Sequence, residues 1–422
     1  MLKQIQVKNF KVIKDSSLLD LQPLTVLIGR NGSGKSSLIE ALDWIGLAVA
    51  EGAEVATEPF QNINNVLSGW RTKKSPNLSI KLVIDPQDIS AGEGVVYQIE
   101  VNAAKDSGMP AIVSEDLVVK NRDGESPLIR TIGDARQRRF NVGITDKPNV
   151  TDVRERKDRE LETLAPTIFE EEWVAITNPD RLALSDMDPV RERAGDFVKE
   201  FLERAVFLRL NPRSIASFTS PRMRYSPRLL DDEGSRLASL LGTLDEETLE
   251  ILVEKLAFII KGANSLESHS PSGPADRRYF TFVESLGSRK APLKVPAWLL
   301  SEGTRRVTAI LAVLLHDKPP PLLCIEEIEN GLDPWTIKYV LDELTGAVER
   351  GTQVIITTHS PYLLNLFPPD NILFCDRTSQ GVTFTAVSEL PDLEVVQTRM
   401  GVGDLYANRF LHNKRAEMGG EE

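Results

Sequence analysis

Gly29-Arg30-Asn31-Gly32-Ser33-Gly34-Lys35-Ser36 matches the pattern G-x-x-x-x-G-K-[ST], and the residues on its two sides have opposite characters. Before it, Leu24–Ile28 (Leu-Thr-Val-Leu-Ile) is continuously apolar, as in a buried parallel strand. After it, Ser36–Ala48 repeats apolar residues at helical spacing. The motif therefore falls at a strand-to-helix junction, the setting in which it forms a phosphate-binding loop. Glycines let the backbone wrap a polyphosphate with its amides turned inward, and the helix N-terminus adds partial positive charge. Lys35 then reaches the β- and γ-phosphates, and the Ser36 hydroxyl ligates Mg2+. Gly29, Arg30, Asn31, Gly32, Ser33, Gly34, Lys35, Ser36 and Ser37 form the expected cradle for ATP.

The chain has 422 residues, enough for two or three compact units, and its 41% hydrophobic content supports a large core. A net charge of −12 gives no overall positive field for nucleic acid or an anionic membrane, so any DNA contact must use a local patch. The Met-Leu-Lys-Gln-Ile-Gln start lacks a signal-like apolar segment. No run approaches the roughly 18 apolar residues of a membrane span, so the expectation is a cytoplasmic protein without a membrane partner. Cys324 and Cys375 each lie in a short apolar run and read as core residues of a reducing compartment. The four histidines show no metal-ligand spacing, which gives a transition-metal site no support.

Residues 2–7 alternate apolar and polar like a strand, and Asn9-Phe10 leads into a second strand-like piece. Leu78–Ile84, Val95–Val101 and Glu115–Lys120 predict an antiparallel β-rich insertion. From about Thr151 to Phe207 the pattern turns charged and helical, with Asp196–Leu208 placing Phe197, Phe201, Leu202 and Ala205 on one face. Gly234–Leu244 and Glu246–Ile260 predict a further helical pair, and Ser265–Ser272 reads as a loop. There is no heptad run and no internal repeat. The expected organisation is a first lobe over 1–150 with the phosphate loop and an antiparallel β subdomain, a mainly helical insertion over 151–295, and a second lobe over 296–422.

The second lobe carries the partners that a phosphate loop needs. Leu322-Leu323-Cys324-Ile325 is an apolar strand ending in Glu326-Glu327, which places two carboxylates where open α/β sheets bind ligands. Glu326 would hold Mg2+, and Glu327 would orient or deprotonate the attacking water. Upstream lies Leu300-Ser301-Glu302-Gly303-Thr304, by itself a helix cap, followed by the apolar helix Val307–Leu315. Downstream lie Asn330-Gly331-Leu332-Asp333-Pro334 and the β-rich run Gln353–Thr358, which ends in Thr358-His359-Ser360-Pro361.

This order resembles the ATP-binding-cassette ATPases, and within them the soluble SMC and RecF-like branch and the stand-alone AAA-family ATPases of the OLD-like group. Ile5–Phe10, Pro23–Gly29 and Asp232–Ala238 carry the same resemblance. It covers residues 1–50 and 230–375 well and the middle weakly. The implied fold is an α/β P-loop NTPase, an ABC-type ATPase head with an antiparallel β subdomain and a helical insertion. The resemblance implies that Ser301 and Gly303 contact the γ-phosphate held by a second protomer, that Asp333 couples the two sites, and that His359 senses the γ-phosphate. Glu327, His359 and Lys35 are thus the expected catalytic residues, and Ser36 and Glu326 the expected metal ligands. Lys11 reads equally as a cover for the adenine ring or as a solvated side chain. Glu326 stands where the family has Asp, its extra methylene moving the carboxylate by roughly 1.5 Å. A Q-loop glutamine has only Gln61 and Gln137 as candidates, with Asp186 at another plausible position. Leu-Ser-Glu-Gly-Thr departs from the Leu-Ser-Gly-Gly-Gln of transporter subunits, and the stretch after Pro361 is too short for the Toprim nuclease domain of OLD proteins.

Composite sites imply a homodimer or higher homo-oligomer. Arg209, Arg213, Arg222, Arg224 and Arg228, with Phe218 and Tyr225 among them and no acid between, form the candidate DNA contact, or else a docking surface for an acidic partner. Arg136, Arg138 and Arg139 make a lesser cluster. The expected function is an Mg-dependent ATPase whose ATP-driven dimerisation acts as a switch or clamp in anti-phage defence or genome maintenance, controlling a separate effector such as a nuclease. The alternatives are a nucleotide-dependent scaffold with little turnover and the ATPase subunit of a transporter.

Overall fold

A computed structural model describes residues 1–67, 76–85, 94–104, 108–121, 124–132, 135–143, 169–175, 181–187, 193–219, 228–270, 277–285, 292–379, 381–390, 400–408 and 411. Three sheets organise them. The first is antiparallel and has nine strands: β1 (Leu2–Phe10), β2 (Ile13–Asp15), β3 (Leu19–Asp20), β5 (Leu78–Ile84), β6 (Gly94–Ala103), β7 (Pro110–Asn121), β8 (Gly124–Ile132), β9 (Ala135–Gly143) and β10 (Phe169–Ala175). The second has six strands in the order β11 (Val206–Leu208), β15 (Leu322–Ile325), β16 (Gln353–Thr357), β4 (Leu24–Ile28), β17 (Ile372–Thr378) and β18 (Gly381–Ala386). Its first five strands are parallel and β18 closes the edge antiparallel. The third is β12 (Ala263–His269), β13 (Tyr279–Glu284) and β14 (Leu293–Pro296).

The six-stranded sheet is apolar on both faces, as parallel strands covered on both sides must be. On one face Leu27, Leu322, Cys324, Ile355, Leu373 and Cys375 share a core with the first sheet and with α1 (Lys35–Glu51). The alternate residues Val26, Ile28, Leu323, Ile325, Val354 and Ile356 share a second core with α6 (Leu237–Leu241), α7 (Glu246–Ala257), α8 (Glu302–Leu314) and α9 (Pro334–Glu349). Period-two alternation thus sorts one strand set into two cores. Both cysteines are buried and free. Among the described residues, no helix is long and apolar enough to cross a membrane.

The α/β class, the phosphate-loop junction and the antiparallel insertion agree with the sequence reading, whereas the middle of the chain differs. The helix expected over Asp196–Leu208 is α4 (Arg193–Glu203), and Val206–Leu208 leaves it to become β11 beside β15. A fully buried Val-Phe-Leu run suits a strand, and a partner strand more than a hundred positions away decides it. The expected loop Ser265–Ser272 is, through His269, strand β12 paired with β13, because Tyr279–Glu284 supplies an apolar partner face. The stretch 151–295 is therefore not mainly helical among its described residues. The sheets also cross the expected divisions, with β10 extending the first sheet past residue 150 and β11 joining the ATPase sheet. Residues 151–168 lie outside the described residues.

Candidate nucleotide-binding site

Every element of the site follows the carboxyl end of a parallel strand, where strand-end loops of an open α/β sheet converge. After β4 the backbone passes through positive φ at Gly29 (147°), Gly32 (76°) and Gly34 (99°) before entering α1. A Cβ at Gly29 would stand 2.2 Å from the Cys375 carbonyl oxygen, and one at Gly34 would stand 2.9 Å from a Val382 methyl. Glycine is therefore required twice, for its dihedral angles and for the close approach. Lys35 is buried and donates to the carbonyls of Gly29 (2.7 Å) and Arg30 (3.1 Å), which leaves one of its three N–H groups free of those bonds. Burial lowers its pKa, while the charges of Cys375, Glu327, Glu326 and Glu329 act in the opposite direction. Ser33 Oγ is buried without a hydrogen-bond partner, whereas Arg30 and Asn31 are exposed. Ser37 follows on the first turn of α1.

After β15, Glu326 turns back to this loop, and Ser36 Oγ lies 2.5 Å from its Oε2. The longer side chain of Glu thus still reaches the hydroxyl expected to share a cation with it. A serine hydroxyl and a carboxylate are the hard oxygen donors that suit Mg2+, and the site's residues fit that ion. Glu327 follows with φ of 48°, a left-handed conformation that costs a non-glycine residue on the order of 1 kcal/mol. Its amide donates to Thr357 Oγ1 at 2.8 Å, and the Asn330 side-chain amide donates to its Oε2 at 2.5 Å. These bonds hold the exposed carboxylate at the sheet's edge. After β16, the His359 amide donates to Glu329 Oε1 at 2.6 Å, while Glu329 Oε2 is buried without a partner. Burial first, and Lys35 second, push the His359 pKa below its ordinary value. Lys35, Ser36, Glu326, Glu327 and His359 are therefore brought together. An orphaned Ser33 hydroxyl and an orphaned Glu329 oxygen beside them are groups that a bound polyphosphate with its water and cation could satisfy.

The signature residues lie elsewhere. Ser301 caps α8, accepting from the Thr304 amide at 3.1 Å, and is exposed. Gly303 packs so tightly on the Asn330–Asp333 turn that a Cβ there would stand 2.5 Å from the Gly331 carbonyl oxygen. Asp333 caps α9 by accepting from the amides of Trp335 (3.0 Å) and Thr336 (3.1 Å) and from the Thr336 hydroxyl (2.5 Å). The Thr336 bonds hold its carboxyl below the usual carboxylate range. Ser301, Gly303 and Asp333 line a cavity of about 330 Å³ that shares no residue with the cavity, of the same volume, into which Glu326 opens. Trp335, beside Asp333, is 88% exposed.

Several expectations need correction. Arg209, expected on a nucleic-acid patch, instead forks onto Glu326 Oε1 through Nη2 (2.6 Å) and Nε (3.1 Å) and also reaches Glu40 at 3.4 Å. Arg228 pairs with Asp43 and lies over the Phe207 ring, its side chain 10% exposed. Arg213 is exposed, and Arg222 and Arg224 lie outside the described residues. Among the described arginines, Arg228 is thus drawn inward by its pairing with Asp43, whereas Arg209 is engaged by Glu326 and stays 56% exposed. Arg136 is likewise internal, paired with the buried Glu115. Lys11 is committed to Glu40 at 2.5 Å and lies 5.0 Å from the Phe60 ring centre, so it is neither free over a base nor simply solvated. Of the Q-loop candidates, Gln61 ends a short helical turn, Gln137 accepts from Arg130 on the antiparallel sheet, and Asp186 pairs with Arg181.

The residue that does follow the strand beside β15 is Arg209. Its signal was present in the sequence as an apolar run, Ala205–Leu208, ending in a charged residue, the pattern of Ile325-Glu326. Tyr406 carried no such signal. It reaches back from the C-terminal helix Val402–Ala407 and donates its hydroxyl to the Gly29 carbonyl at 3.1 Å.

Comparison with known proteins accords with this geometry. Residues 97–365, more than half of the chain, match the family described as "AAA domain, putative AbiEii toxin, Type IV TA system", and residues 1–88 match that described as "AAA ATPase domain". An SMC head bound to the C-winged helix domain of ScpA superposes with a TM-score of 0.52 at 14% identity, covering 91% of this chain and 97% of that one. This likeness shows the fold. Among curated proteins, the ATP-binding protein EcfA2 of an energy-coupling factor transporter from Mycoplasmopsis synoviae is 33% identical over 85 residues, 20% of this chain and 27% of that one. The OLD nuclease of Thermus scotoductus is 47% identical over 45 residues, 11% of this chain and 8% of the nuclease. The probable ATP-dependent transporter SufC of Escherichia coli is 27% identical over 145 residues, 32% of this chain and 57% of that one. The matches thus span 8% to 57% of the length of these curated relatives. With its phosphate-loop motif, carboxylate strand and His359 at one sheet edge, the chain belongs to the AAA-domain family that matches residues 97–365, and its fold is that of an SMC head.

Proposed function

We propose that this protein is an Mg-dependent ATPase in which ATP closes a head-to-tail dimer and hydrolysis reopens it. One observation carries the reading: the cavity lined by Ser301, Gly303 and Asp333 includes none of the phosphate-loop residues 29–37. A signature segment that is exposed and apart from its own phosphate loop suits delivery to the loop of a second copy. In the proposed reaction Lys35 and the loop amides bind the polyphosphate, and Ser36 and Glu326 hold Mg2+, which supplies Lewis-acid stabilisation of the phosphates. Glu327, held by Thr357 and Asn330, orients the attacking water and takes its proton. His359, kept neutral by its surroundings, donates to or accepts from the γ-phosphate region without adding a second fixed charge beside Lys35.

The closed dimer is proposed to control a separate effector, such as a nuclease, in anti-phage defence or genome maintenance. The family description and the short match to an OLD nuclease support this direction. Light scattering of Glu327→Gln with ATP tests the switch: a dimer that persists with ATP and is lost with ADP is expected, and a monomer under both conditions refutes it. Pull-down with the same variant in ATP tests for the effector. A scaffold with little turnover is the second reading, favoured by Arg209 seated on Glu326. Phosphate release at buffer background with Mg2+, DNA and partner present would decide for it.

A further inference from the structure

Arg209 is a charged residue of this site that the proposed reaction has not used. Its backbone is fixed, because its amide donates to the Asp232 carbonyl at 2.8 Å and the preceding strand β11 is in register with β15. Its side chain is 56% exposed, whereas that of Glu326 is 11% exposed. Both Glu326 oxygens are engaged, Oε2 by the Ser36 hydroxyl at 2.5 Å and Oε1 by the Arg209 fork at 2.6 and 3.1 Å. A second seat for the guanidinium lies close by, since Glu40 stands 3.4 Å from Nη2 and is itself held by Lys11.

We propose that Arg209 is a tethered cation for Glu326, neutralising that carboxylate so that a nucleoside triphosphate docks on the phosphate loop before a divalent cation arrives. The physical problem is like-charge repulsion. Glu326 faces the place where the phosphates bind and is too buried for water to screen its charge well, while the nearby Glu327 and Glu329 add negative potential. A cation must neutralise Glu326 before a polyanion approaches, and Arg209 does so through two charge-assisted hydrogen bonds to the single oxygen Oε1. Mg2+ held by Ser36 and Glu326 would supply the neutralising charge itself, and Glu40 would remain as the seat for the guanidinium. Arg209 is thus a positioning residue whose importance is greatest when metal is scarce. Because Arg cannot be deprotonated in this range, the device works without a pH threshold.

The inference rests on the nucleotide-site reading, and binding measurements separate the two. Fluorescence titration with a methylanthraniloyl-ATP probe is run in EDTA and in excess Mg2+. Wild type is expected to bind under both conditions. Arg209→Gln should weaken binding in EDTA by about tenfold or more and in Mg2+ by less than about threefold, while Arg209→Lys, which keeps the charge, stays near wild type in EDTA. In a Glu326→Gln background, where no charge needs neutralising, Arg209→Gln should have little effect in EDTA. Equal weakening of Arg209→Gln in both conditions, no weakening in either, or wild type that binds only with Mg2+ would overturn the proposal. Failure of wild type to bind even with Mg2+ would instead overturn the nucleotide site itself. A matching thermal melt of each variant establishes that the fold is intact.

Discussion

Gly303→Ala isolates the signature segment with one methyl group. The added Cβ would lie 2.5 Å from the Gly331 carbonyl oxygen and 3.4 Å from a Leu332 methyl. An ordinary carbon-to-oxygen contact is about 3.3 Å, so the neighbours must separate by roughly 0.8 Å. The backbone of Gly303 tolerates alanine, since its φ is not positive, and the strain is therefore steric alone. The turn that must yield is wound by bonds from Asn330 to the Glu327 carbonyl (3.0 Å) and from Leu332 to the Glu329 carbonyl (3.1 Å), so the displacement passes to Glu327 and to the α9 cap at Asp333. Overpacking of this size costs about 1–3 kcal/mol, and misplacement approaching 1 Å at a reacting group costs about a hundredfold in rate. The expected outcome is a lower melting temperature, ATP binding by the monomer within about twofold of wild type, and an ATP-dependent dimer weakened by about tenfold or more in the Glu327→Gln background. Sedimentation or light scattering across protein concentration reads the last quantity. A Gly303→Ala protein that melts lower yet dimerises as wild type would refute the placement of this segment at the dimer interface.

Other outcomes follow from the same contacts. Glu115 is fully buried and accepts from the amides of Ala183 (2.7 Å) and Leu184 (3.0 Å), from Tyr97 and from Arg136. Glu115→Ala leaves the buried Arg136 charge without this partner and should destabilise by about 3–5 kcal/mol in denaturant titration, whereas an unchanged midpoint would contradict the network. Because the His359 pKa lies below 6.5 in the fold, the unfolded chain takes up its proton first as pH falls. The stability that a neutral His359 confers is complete above pH 6.5 and is lost on acidification through its folded pKa. Wild type should therefore lose more melting temperature than His359→Gln between about pH 7.5 and 5.5, and parallel pH slopes would show that this histidine is not coupled to folding. Tyr406→Phe removes one hydrogen bond to the Gly29 carbonyl and should cost about 0.5–1.5 kcal/mol, with faster amide exchange in the phosphate loop. Unchanged exchange at residues 29–35 would detach the C-terminal helix from the site.

Much of the site was legible because its parts are local. A phosphate loop is one contiguous turn whose glycines, lysine and serine sit between an apolar strand and an amphipathic helix, and all of these leave their mark within a few positions. The carboxylate strand and the helix cap at Ser301 are local in the same sense. Arginines were misread for the opposite reason. Charge and spacing cannot say whether Arg209 faces water or Glu326, which lies 117 positions away. Nor does a Ser-rich segment reveal that Tyr279–Glu284 will pair with it as a strand.

By itself, then, the amino-acid sequence determined the parallel-sheet class and the phosphate-loop motif at its strand-to-helix junction, and it singled out Glu326, Glu327 and His359 as candidates, because short-range periodicity and backbone geometry encode such local patterns. Only the tertiary structure decided which charges meet. Ser36 finds Glu326 across 290 positions, and Tyr406 reaches Gly29 across 377. Those pairings arise from the order of strands in one sheet, which brings distant strand ends to a common edge, and strand order depends on the packing of whole faces rather than on any local pattern.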